Sequence, residues 1–142
     1  MIVVDTNVVA YVLIEGEFTP SARELWKRDS EWRLPSLWRH EFLNLLATTV
    51  RQRGFAFSQA HSLWEKAIQL FSPLEDPIDM GQALQLATER AISAYDAQFI
   101  TLAKELKTFC VTEDQRLWKL FPEQACSIRT YLSNLEKPSE KE

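Results

Sequence analysis

Two short apolar runs, Ile2-Val3-Val4 near the N-terminus and Thr108-Phe109-Cys110-Val111 late in the chain, each end on a polar triplet that carries a carboxylate: Asp5-Thr6-Asn7 and Thr112-Glu113-Asp114. Apolar runs of this length followed by turn and cap residues predict buried strands that give way to helices. Between them the apolar residues recur at helical spacing. Strands alternating with helical stripes predict an α/β fold on a mainly parallel sheet.

After the first strand, the spacing predicts a helix over Val8–Ile14 and a second from Pro20, with Ala22, Leu25 and Trp26 on one face. Trp32-Arg33-Leu34 is a candidate second strand, and Pro35-Ser36 punctuates it. A long third helix follows, with Trp38, Glu41, Phe42, Leu45, Leu46 and Thr49 on one stripe, closing near Gly54. Ser58 is the expected cap of a fourth, and residues 73–77 form a loop with room for a short strand. Helices from Asp79 or Met80 to about Arg90 and from Ser93 or Ala94 lead to the Thr108–Val111 strand. A short helix through Leu117, Trp118 and Leu120 and a last strand near Ala125–Ile128 complete the reading. One domain over residues 1–135 and a disordered polar tail over 136–142 are expected.

Composition removes several classes of function. The only glycines, Gly16, Gly54 and Gly81, are isolated, so there is no dinucleotide loop, phosphate loop or nucleophile elbow. His40 and His61 make no H-E-x-x-H, and Cys110 and Cys126 make no C-x-x-C, so no familiar zinc motif is present. Two thiols without a secretory signal predict reduced cysteines and a cytoplasmic location, and no apolar run approaches the ~18–20 residues that span a bilayer. Sixteen basic against twenty acidic side chains leave a net charge of −4, which argues against a broad nucleic-acid surface but not against a local basic patch.

Four carboxylates are not demanded by the pattern. Asp5 and Asp114 each follow a buried strand and precede a helix, which places both at the carboxyl edge of the sheet, where open parallel sheets bind ligands. Each is equally readable as a helix N-cap. Asp96 falls in a helix's first turn, where the dipole favours an acid, and Glu41 interrupts an apolar stripe, where Arg39 is a possible partner. A shared site explains all four at once. Crowded carboxylates resist ionisation unless a cation holds them, and hard oxygen ligands select Mg²⁺ or Mn²⁺, which points to phosphoryl or phosphodiester chemistry.

Asp5-Thr6-Asn7 after a first strand, Glu41 on the third helix, Tyr95-Asp96-Ala97 opening a later helix and Val111-Thr112-Glu113-Asp114 after a late strand resemble the PIN-domain ribonucleases, most of all the VapC toxins of prokaryotic toxin–antitoxin pairs. The likeness runs to about residue 130. It implies a three-layer α/β/α sandwich and a metal-dependent endoribonuclease that leaves a 5′ phosphate. Asp5, Glu41, Asp96 and Asp114 match the family's catalytic, Mg²⁺- or Mn²⁺-binding acids, with Thr6, Asn7 and Thr112 as supporting polar neighbours. The resemblance also implies an RNA substrate, a cognate antitoxin and a homodimer. One departure is Arg116, where many relatives carry a further acid that serves a second metal, and Glu113 is expected to point elsewhere.

Arg39 and Arg116 are the first candidates for RNA contact, ahead of Arg51 and Arg53. Trp38 and Trp64 belong to apolar stripes, whereas Trp26, Trp32 and Trp118 would stack bases if exposed. A haloacid-dehalogenase-like phosphatase would need a second Asp where Asn7 stands. A catalytically degenerate PIN-fold module that only binds protein or RNA is the more serious alternative.

Overall fold

The computed structural model describes residues 1–137. Its sheet has four strands, β1 (Ile2–Val4), β2 (Trp32–Arg33), β3 (Cys110–Val111) and β4 (Ala125–Cys126), in the order β2-β1-β3-β4. All three pairings are parallel, with Ile2 opposite Trp32, Val3 opposite Cys110 and Val111 opposite Cys126. Side chains alternate between faces along a strand, and Ile2, Val3 and Val4 are all fully buried, so helices cover the sheet on both sides.

The helices are α1 (Thr6–Leu13), α2 (Thr19–Arg28), α3 (Trp38–Arg53), α4 (Phe57–Phe71), α5 (Met80–Arg90), α6 (Ala94–Glu105), α7 (Gln115–Leu120) and α8 (Ile128–Glu136). Helix α1 starts two residues ahead of expectation because Asp5 is its N-cap and accepts from the Val8 amide at 3.1 Å. Ser58 does not cap α4, which starts at Phe57 behind Ala56 with no side-chain cap. Gly54 closes α3 in the left-handed conformation at φ 68°, as the pattern predicts.

Two differences change the shape of the molecule's ends. The 73–77 loop contributes a 3-10 turn over Ser72–Leu74 and a single parallel bridge between Leu34 and Glu75 at the β2 edge. The last strand stops at Cys126 because the Ser127 hydroxyl accepts from the Thr130 amide and opens α8, so Ile128 is the first residue of a helix rather than the end of a strand. Helix α8 runs through Glu136, the expected first residue of the tail, and residues 138–142 lie outside the described ones. It packs on α2, where the Tyr131 hydroxyl donates to Asp29 at 2.7 Å.

The interior beside β2 is aromatic. Trp32, Trp38 and Phe71 are fully buried, and Trp26 meets Trp32 edge-on at 4.6 Å. Trp64 stacks on Phe42, and Trp118 donates its indole N–H to the Thr112 carbonyl at 2.6 Å. Trp32 is therefore core, and Trp26 and Trp118 are half-buried packing groups rather than open stacking platforms. Cys110 and Cys126 are buried free thiols. Among the described residues no helix is long and apolar enough to cross a membrane.

Candidate active site

The ends of β1 and β3 are neighbours in the sheet, so the triplets that follow them meet. Thr112, fully buried, stands between them: its hydroxyl donates to Asp5 Oδ2 and accepts from the Asp114 amide at 3.1 Å. Asp114 caps α7 through Oδ1, which takes the Arg116 amide at 3.0 Å. Both aspartates are thus helix caps, and Thr112 joins them.

Helices α3 and α6 supply the other acids. The hydroxyl of buried Thr6 donates to Glu41 Oε1 at 2.7 Å, which ties the first turn of α1 to that of α3. Ser93 caps α6 by accepting the Asp96 amide at 3.0 Å and leaves the Asp96 carboxylate free to point elsewhere. It meets Arg116, whose Nη2 lies 3.4 Å from Asp96 Oδ2 and 2.9 Å from Asp114 Oδ2. Asn7 is exposed beside these groups, and Glu113 turns away to accept the Ile128 amide at 2.9 Å.

The electrostatics divide the cluster in two. Burial of the Asp5 carboxyl pushes its pKa up to about 6, against the pull of the Thr112 hydroxyl and nearby amides, and Glu41 adds repulsion. Glu41 is also raised, first by burial and then by Asp96, with the Thr6 bond opposing. Asp114 moves the other way because the Arg116 guanidinium hydrogen-bonds its ionised form. Among the described residues Asp5 and Glu41 have no ion-paired cation, whereas Asp96 and Asp114 share Arg116.

Among the described residues no three of these carboxyls stand close enough to share one ion as they are held. The donor chemistry still fits a hard divalent cation: the cluster offers oxygen from Asp5, Glu41, Asp96 and Asp114 with no imidazole among them, and a cation beside Asp5 and Glu41 would relieve their raised pKa. Asp96 and Asp114 face Arg116 instead.

The other candidate cations make no hydrogen bond or ion pair with these acids among the described residues. Arg39 pairs with Glu75 through Nε and Nη2, and Glu75 also accepts the Trp38 indole N–H at 2.8 Å. No local pattern in the sequence exposes Glu75 as a partner, because only the Leu34–Glu75 bridge brings it to the start of α3. Arg53 lines a cleft of about 300 Å³ together with Asn7, Tyr11 and Thr49. A larger cleft of about 670 Å³, between Leu13, Phe55 and Lys66, contains none of the four acids.

Residues 2–121 match the family model described as PIN domain. No curated protein matches the chain. Among solved structures, PAE2754 from Pyrobaculum aerophilum is similar at 22% identity and a TM-score of 0.72, covering 94% of this chain and 87% of its own. FitAcB from Neisseria gonorrhoeae is similar at 17% identity and a TM-score of 0.68, covering 91% and 99%. FitAB bound to an IR36 DNA fragment gives 18% identity, a TM-score of 0.68 and coverage of 90% and 95%. At these identities the likeness speaks to the fold.

Proposed function

Since the chain belongs to the PIN-domain family, we propose that it is a Mg²⁺- or Mn²⁺-dependent endoribonuclease, the toxin of a VapBC-type pair, acting in the cytoplasm. PIN domains are generally nucleases. The observation that carries the reading is the continuous network from Glu41 and Thr6 through Asp5, Thr112 and Asp114 to Arg116 and Asp96, gathered from four elements onto the carboxyl edge of the sheet.

Of the four acids, Asp5 and Glu41 would hold the ion, and Asp96 and Asp114 would face it from beside Arg116. A bound divalent cation supplies a lowered pKa for the attacking water and neutralises charge on the phosphodiester. The chain's own residues set the geometry. Thr112 and the Val8 amide fix both oxygens of Asp5, Thr6 fixes Glu41, and buried α1 and β3 leave these groups little freedom to turn. Arg116 stands at the edge of the centre with an exposed side chain, which suits it to a phosphate oxygen, whereas Glu75 holds Arg39. Water adds to phosphorus, the P–O3′ bond breaks, and the products carry a 5′ phosphate and a 3′ hydroxyl.

An antitoxin and a second copy of the chain are the partners this reading expects. The test is incubation of purified, antitoxin-free protein and its Asp96→Asn variant with total bacterial RNA in Mg²⁺ or Mn²⁺, with sequencing of new 5′ ends. Discrete cuts, sensitive to EDTA and made only by the parent, are expected. Identical RNA from parent and variant would move the binding-only PIN module ahead.

A further inference from the structure

We propose that Arg116 takes the place of one cation in the acidic centre, so that the chain holds a single divalent ion, with the free edge of the guanidinium left for the scissile phosphate. This rests on the metal-dependent reading above and deepens it by fixing the number of ions and naming the second positive group.

The argument begins with how Arg116 is held. One carboxylate, Asp114, accepts from its backbone amide at 3.0 Å, from Nε at 3.3 Å and from Nη2 at 2.9 Å. The side chain is folded back onto its own helix cap. From there Nη2 reaches Asp96 Oδ2 on α6, twenty residues earlier. The guanidinium therefore links the starts of two helices and occupies two of the acids that a second ion would need.

A second ion on those acids would have to expel Nη2 and then remain beside a fixed positive charge, and like charges a few ångströms apart repel strongly. At the other end the Asp5 and Glu41 carboxylates accept from Thr112, the Val8 amide and Thr6 and have no ion-paired cation among the described residues, which leaves that end open to the incoming divalent ion. A guanidinium has five N–H donors in a planar fork, of which Nε and Nη2 are occupied. Nη1 has no hydrogen-bond partner among the described residues, and the side chain is 74% exposed, so the remaining edge faces solvent.

Counting Mn²⁺ on the EDTA-stripped protein by equilibrium dialysis, with free Mn²⁺ read by electron paramagnetic resonance, tests this without any assay of cleavage. The parent is expected to bind one ion per chain, and Asp5→Asn to weaken it tenfold or more. Arg116→Lys, which keeps the charge, stays at one, and Arg116→Ala rises to two. Arg116 is exposed and its ion pairs contribute little to folding, so the alanine variant should keep the parent's circular dichroism. Two ions on the parent, one on Arg116→Ala, or an Asp5→Asn variant that binds as the parent does would overturn the assignment and leave metal dependence standing. A parent that binds none overturns the metal reading itself, and this proposal with it.

Discussion

Thr112 and Asp5, 107 positions apart in the chain, are joined directly by a hydrogen bond from the threonine hydroxyl to Asp5 Oδ2. The same hydroxyl accepts the amide of Asp114, so one buried oxygen sets the positions of two acids that come from opposite ends of the sequence. Its own backbone is held too, by the Trp118 indole on its carbonyl.

Replacing Thr112 by valine keeps the shape and removes the oxygen. Asp5 loses a donor and the Asp114 amide loses its acceptor, at a cost of about 1–3 kcal/mol in urea denaturation. On the proposed function, where Asp5 holds a metal ion, cleavage of RNA should fall roughly 10–100-fold, the usual effect of losing a group that orients a metal ligand. Thr112→Ser, which restores the hydroxyl, should recover most of both. Equal loss in serine and valine variants would remove the oxygen from the account.

The raised pKa of Asp5 makes a signed prediction for the metal-free protein. Its folded value of about 6 lies above the ordinary 3.8, so the stability it contributes is complete below pH 3.8 and is lost as pH rises through 6. Asparagine cannot ionise and caps a helix as well as aspartate. In EDTA at pH 7.5, Asp5→Asn should therefore be the more stable protein, by at most about 3 kcal/mol. The advantage should shrink as pH falls to 4.5. An advantage that does not change with pH in paired thermal melts would show that burial of the charge is not its source.

Glu75 has two partners of unequal weight. Glu75→Ala strands the indole N–H of buried Trp38 and frees Arg39, and should cost about 1–3 kcal/mol. Glu75→Gln keeps an acceptor for Trp38 and should cost less. Arg39→Ala removes only a half-exposed ion pair, worth under about 1 kcal/mol. A chemical-denaturation series of the three variants checks the order.

Ala91 ends α5 in the left-handed conformation at φ 54°. A Cβ in that region is crowded by the carbonyl, at about 1–2 kcal/mol per residue. Ala91→Gly should raise stability by about 1 kcal/mol, less the entropy that glycine adds to the unfolded chain. A lower unfolding midpoint in the glycine variant would contradict the strain.

Much of this molecule is set by near neighbours in the chain, and that part was open to the sequence. Val-rich runs that can only be buried, stripes at helical spacing, Asp79 and Ser93 as caps and Gly54 as a stop each act within a turn or two, and they decide the order of strands and helices. The same locality hid α8, whose cap Ser127 follows a strand of only two residues and so cuts it short at Cys126. Asp5 and Asp114 stood out because they closed a strand, Glu41 because it broke an apolar stripe, and Asp96 because it fell in the first turn of a helix. Which of them shares a cation was decided elsewhere. Arg116 meets Asp96 only because β1, β3 and α6 are packed in one register, and Glu75 reaches Arg39 and Trp38 only because the chain bridges Leu34 at the edge of β2. A hydrogen bond depends on distance to a few tenths of an ångström, and across 20 to 107 residues that distance is fixed by sheet register and helix phase, which no local pattern encodes.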